Sequence, residues 1–155
     1  MPGSWDPRDF PDLKESEYSV KSRRTGRYNC IAWAADDVSR YWWPDLQHQV
    51  FWPSSAPREE TLIAFQLAYG SIGYRPCNDG TLEDGIEKVA IFVDEDGPTH
   101  AAWQKPEGTW SSKMGPFEDI DHQRLDLMTG PPGRAYGKPR AYMSRPRQPR
   151  RSPEL

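Results

Sequence analysis

Residues 88–114, KVAIFVDEDGPTHAAWQKPEGTWSSKM, restrict the possible folds more than any other part of the chain. Val89, Ile91 and Val93 alternate with Ala90 and Phe92, which is the two-residue period of a strand. The EDGP at 95–98 is turn chemistry, since Asp, Gly and Pro each favour reversal of the chain. THAAWQ at 99–104 then reads as a second strand, KPEG as a second turn, and TWSSKM at 109–114 as a third strand. Loops this short join antiparallel neighbours, so the stretch predicts a meander.

Upstream the period changes. In YNCIAWAADD, residues 28–37, and on to Val38, the apolar Ile31, Ala34, Ala35 and Val38 fall three and four apart, the spacing of one helix face. The pattern predicts a helix from about Asn29 to Tyr41, ended by Trp42, Trp43 and Pro44. Asn29 suits the N-cap, because its side-chain oxygen can accept a free N–H of the first turn. A second helix is expected to begin near Ser55, with Pro57, Glu59 and Glu60 in its opening turns. Leu62, Phe65, Ala68 and Tyr69 would form its buried stripe and Gly70 its stop. Residues 117–128 read as a short helical or loop segment with Ile120, Leu125 and Leu127 inward, and 140–143 as a last strand. Helices first and antiparallel strands after predict an α+β fold, N-terminal helices packed on an antiparallel β-sheet.

A length of 155 residues suits one domain with a real core. Residues 1–27 read as an N-terminal extension anchored by Trp5 and Phe10, 28–145 as a single domain, and 146–155 as a basic Pro/Arg-rich tail that stays solvated. Seven Lys or Arg against one acid give residues 131–155 a net charge of +6 and leave −9 on the rest. No apolar run is long enough to span a membrane, and the first residues lack the apolar core of a secretory signal. Two cysteines, Cys30 and Cys77, are too few for a disulfide framework, so a reduced, cytoplasmic protein is expected. Nucleic acid and membrane are not expected partners; a protein or peptide substrate is, and no cofactor is called for.

Cys30 would stand at the positive end of the first helix, where a thiol ionises more readily and becomes a better nucleophile. An imidazole beside it could take and return its proton. Of His48, His100 and His122, His100 is best placed, near the start of a strand with small Ala101 and Ala102 after it. If KPEG closes the hairpin, Gln104 faces Thr109 and His100 faces Lys113; a slip of one residue puts Ser112 there instead. Ser112 or Asp119 could orient the imidazole. Asn29 and the Cys30 N–H are candidates for an oxyanion hole, and Trp33 and Trp103 for substrate contacts. The thiol pKa is expected to fall below its free value of about 8.5, so that Cys30 reacts before Cys77.

Cysteine at a helix start, histidine on a strand and a polar residue on the next strand resemble the papain-like cysteine superfamily, which includes cysteine peptidases, peptidoglycan amidases and transglutaminases. HAAWQ followed by GTW is similar to the transglutaminase pattern, although Ser112 and Lys113 stand where that pattern has aspartate. YNCIAWA, KVAIFVDEDG, THAAWQ, GTWSSKMG and EDIDH together resemble a set of uncharacterised bacterial proteins that share a domain of unknown function, over about residues 28–145. The superfamily resemblance implies a papain-like (transglutaminase-like) core and a cysteine-dependent hydrolase or acyltransferase acting on an amide or isopeptide bond. The alternative is a catalytically inactive binding module of that fold, using Trp42, Trp43, Trp52 and Trp103 as an exposed contact surface. A third reading is a metal site built from Cys30, His100 and His122.

Overall fold

The computed structural model describes residues 2–129 and 135–150. Its framework is a seven-stranded antiparallel sheet: β1 (Tyr18–Val20), β2 (Arg75–Cys77), β3 (Ile86–Asp94), β4 (Gly97–Gln104), β5 (Trp110–Lys113), β6 (Asp119–His122) and β7 (Lys138–Pro146). The order across the sheet is β1-β6-β5-β4-β3-β7-β2. The described residues form two short α-helices, α1 (Cys30–Ala34) and α2 (Leu62–Gly70). The protein is therefore β-rich, and the expectation of a papain-like α+β core with helices packed on a sheet is corrected.

The correction has local causes. Apolar spacing continues through Ala35 and Val38, but the helix closes at Ala34 in a Schellman turn. The Asp37 N–H donates to Ala32 O at 2.9 Å and the Asp36 N–H to Trp33 O at 3.0 Å. Asp36 takes φ of 63°, a left-handed conformation that Asp tolerates better than most residues. α2 starts at Leu62 rather than Ser55, because Thr61 is its N-cap and accepts from the Ala64 N–H at 3.2 Å. The EDIDH segment is strand β6 rather than a helical turn or loop, paired with β5 from Trp110–His122 to Lys113–Asp119.

β3 and β4 read as nearly continuous apolar runs because both faces of the sheet are covered. On one face Val89, Ile91, Ala101 and Trp103 pack with α1, α2 and the loop carrying Trp42 and Trp52. On the other, Ala90, Phe92, Ala102 and Ile120 pack with Trp5, Phe10, Leu127 and Met128. Trp5 and Phe10, expected as anchors, are both buried in this second cluster. Tyr69 Oη donates to Ile31 O at 2.9 Å and ties α2 to α1.

The C-terminal stretch is seated. Pro146 ends β7, and Arg147 donates to Gln104 O and Ile86 O at 3.1 and 2.9 Å. Residues 151–155 of the expected solvated tail lie outside the described residues.

Candidate active site

The 104–110 hairpin pairs Gln104 with Trp110 and Trp103 with Ser111, one residue away from the register read off the turn. Those are the two pairs recorded between β4 and β5, so the β4 edge around Thr99 and Ala101 is left to other partners. α1 lies against that edge. The Cys30 thiol points at Thr99 O, 3.9 Å away, a weak donor contact one residue before His100.

Side chains alternate across a strand, and this divides the expected site. Cys30 packs in the cluster that holds Ala101 and Trp103. His100 faces the other way, with Phe92 at a ring-centroid distance of 5.3 Å and Tyr136 stacked on it at 3.9 Å and 6°. Ser112 and His122 share the His100 face. Asp119 and Lys113 belong to the Cys30 face, one register position further on.

On the His100 face the polar atoms form a chain. His100 Nε2 lies 2.9 Å from Ser112 Oγ, and Ser112 Oγ lies 2.8 Å from His122 Nε2. His122 Nδ1 lies 3.1 Å from the carbonyl oxygen of Arg124. A carbonyl only accepts, so His122 Nδ1 carries the proton. Burial pushes the His122 pKa down to about 4, against the Arg124 bond, so its ring is neutral at pH 7 and Nε2 accepts from the serine hydroxyl. Ser112 has then used its one proton and accepts from His100 Nε2–H. His100 Nδ1 is left as a bare lone pair, and it is buried with no hydrogen-bond partner. Burial, and then the cost of placing a second positive imidazole beside His122, holds the His100 pKa well below the usual imidazole value.

The thiol is sealed. Cys30 is 7% exposed, and burial pushes its pKa up to about 11. The Ala101 and Ile31 N–H groups and the Lys113 ammonium pull the other way and lose. A helix of five residues gives the sulfur little dipole to offset its burial. The expected lowering of its pKa is therefore reversed.

The remaining expected residues have other occupations. Asn29 Oδ1 accepts from the Ala32 and Trp42 N–H groups, both at 3.1 Å, and its Nδ2 donates to Trp42 O at 2.8 Å. That side chain is the helix cap and a loop clamp, with its amide already committed. Asp119 accepts from Tyr28 Oη at 2.7 Å and does not approach His100. The Trp33 and Trp103 rings both lie against the Arg150 guanidinium. Trp42, Trp52 and Trp103 are buried and Trp43 is partly so.

Sequence reasoning passed over Tyr136; it weighed His122 as a candidate base and metal ligand and Lys113 as a neighbour of His100, but neither in the role it holds here. The alternation of Ile120 and His122 was the available signal for the role of His122. Lys113 donates to Thr25 O at 2.7 Å and to Gly115 O, which closes the 22–27 loop over the Cys30 face. Among the described residues no group of three or more His, Cys, Asp or Glu could hold a metal ion, and no helix is long and apolar enough to cross a membrane.

These features define a β-rich domain with one antiparallel sheet, a sealed cysteine on one face and a polarised His–Ser–His chain on the other. The chain belongs to the DUF7689 family, a domain of unknown function, whose model matches residues 19–144. No curated protein and no solved structure matches it.

Proposed function

We propose that the chain is a cysteine-dependent hydrolase or acyltransferase acting on an amide or isopeptide bond, held here in a closed resting form. The observation that supports this reading is the polar chain from His122 through Ser112 to His100. It fixes the tautomer of His100 so that Nδ1, the nitrogen without a partner, is an acceptor. A base for a thiol needs that protonation state, and an orienting hydroxyl on the opposite nitrogen keeps the ring in place.

In the reaction so read, α1 shifts along the open β4 edge past Thr99, the sulfur leaves Thr99 O and comes round onto the face of His100, and its proton passes to His100 Nδ1. The thiolate attacks the carbonyl carbon, and the imidazolium returns the proton to the departing amine. The thioester left on Cys30 is resolved by water in a hydrolase or by a second amine in a transferase. Neither group is charged in the resting form, since burial disfavours both ions. Activation therefore requires the Cys30 face to open and α1 to move past the β4 edge, since at rest the two side chains lie on opposite faces of the sheet.

The test is labelling with a peptidyl acyl-type electrophile, mapped by mass spectrometry. Labelling of Cys30 that Cys30→Ala abolishes and His100→Asn slows at least tenfold supports the reading. Labelling confined to Cys77, or Cys30 labelling indifferent to His100, removes it. The second reading, a module that binds without reacting, is favoured by the sealed thiol. Its contact surface would not be Trp42 and Trp52, which are core; Leu46, at 82% exposure, and Ile63 are the large apolar side chains most open to solvent.

A further inference from the structure

The two tryptophans expected to touch a substrate form a slot, and the slot is filled by the chain itself. The Arg150 guanidinium carbon lies 4.6 Å from the Trp33 ring centroid and 4.2 Å from that of Trp103. Arg150 Nη2 donates to Trp33 O at 2.7 Å, and Nε lies 3.6 Å from Asp36 Oδ1. A planar guanidinium lying over indole faces, with a carboxylate at its end, is how proteins recognise arginine.

The slot does not depend on Arg150 for its shape. Trp33 Nε1 donates to Ser111 Oγ at 2.9 Å, and Trp103 Nε1 donates to Glu87 Oε1 at 2.7 Å. Each indole is held from its far edge by the sheet. Glu87 is itself fixed by Arg145 Nε at 2.9 Å. The walls are therefore set before the guanidinium enters.

The approach to the slot reads an extended peptide. The Gln148 N–H donates to Glu87 Oε2 at 3.0 Å, and the Arg147 N–H to Gly85 O at 2.9 Å. Arg147 also lies 5.9 Å from the Trp103 ring centroid. Two arginines three positions apart thus engage Trp103, with backbone contacts alongside. The fit is incomplete: Arg150 Nη1 is buried without a hydrogen-bond partner, so a segment placing its guanidinium better can compete for the site.

We propose that the Trp33–Trp103 slot is a recognition site for an arginine-bearing extended peptide, and that residues 147–150 occupy it in cis. The ligand class is a polypeptide carrying two arginines spaced as Arg147 and Arg150 are. The site stands independently of any chemistry at Cys30.

The test uses the full chain with Arg150→Ala and a synthetic peptide of the sequence PRQPRR, read by calorimetry and by the tryptophan indole N–H resonances. The variant is expected to bind the peptide at least about tenfold more tightly than the unmodified chain, whose own strap keeps the receptive state scarce. Replacing the arginines of the peptide by lysine or citrulline is expected to abolish binding. Equal binding by variant and unmodified chain, or equal binding of the lysine peptide, overturns the proposal. If Arg150→Ala does not fold, the unmodified chain carries the test. Excess peptide is expected to shift the Trp33 and Trp103 resonances selectively, and no shift at millimolar peptide overturns the proposal.

Discussion

Ser112 accepts one proton and donates another between two buried imidazoles. Replacing it by alanine leaves His100 without a hydrogen-bond partner and His122 Nε2 unpaired, and the expected loss is about 1–3 kcal/mol of stability by urea denaturation. The same imidazoles set an acid limit. His122 is pushed from 6.5 down to about 4, and His100 moves in the same direction. Below pH 6.5 the unfolded chain takes up protons that the folded chain refuses. Stability is thus complete above that pH and is lost progressively toward pH 4, which a pH series of melting curves checks. Cys30 acts at the other end: its folded pKa is raised from 9.0 to about 11, so stability falls between those values as the unfolded thiol ionises first. In native protein at neutral pH, alkylation is expected to reach half-buried Cys77 before Cys30, the reverse of what the helix-start argument predicts; peptide mapping decides. Ser112 was legible only as one of two candidates beside His100, with Asp119, because the turn left the register uncertain by one residue. The state of the thiol was not, because burial depends on elements distant in sequence.

At the scale of elements, the two helix caps invite comparison. Thr61 makes one capping bond, and Thr61→Ala is expected to cost about 1 kcal/mol. Asn29 makes the same bond and also clamps Trp42 from both of its amide atoms. Asn29→Ala is expected to cost about 2–3 kcal/mol, with the excess reporting the clamp. Denaturant titration of the two variants side by side measures the difference. The central strands were readable because their own residues announce them: β3, β4 and β5 carry alternation bounded by turns. β1 and β2 have three residues each, too few for any period to show, and Pro76 argues against a strand on its face. Pro76 is admissible because β2 is an edge strand. α1 was over-extended because Ala35 and Val38 remain packed on the same cluster after the helix has ended, so apolar spacing outlives the hydrogen bonding it was taken to signal.

Across the whole molecule, the two-sided sheet explains why so few aliphatic residues suffice. Aromatic side chains fill both layers, and polar side chains such as His100, Ser112, His122 and Glu87 are chained or paired among them. The strap of residues 147–150 closes one layer. Truncation after Pro146 removes the Arg147 bonds, the Gln148 contact and the Arg150 guanidinium, and is expected to cost about 3 kcal/mol, or roughly 5–10 °C in Tm by calorimetry. A solvated tail, as composition suggests, would leave Tm unchanged. The signs of docking lie in Glu87 and the two indoles, which no local reading of a Pro/Arg segment can find.

The position of β7 also governs the order in which the molecule can be assembled. β7 lies between β3 and β2, and its ladder with β3 runs from Ile86–Pro146 to Val93–Lys138. During synthesis β3 leaves the ribosome well before that partner exists. It waits with one apolar-flanked edge open, which is the surface on which chains pair wrongly or chaperones settle. Folding of this sheet is therefore completed after translation of residue 146 rather than alongside it. A nascent chain arrested before residue 138 is expected to remain protease-sensitive however long it is held.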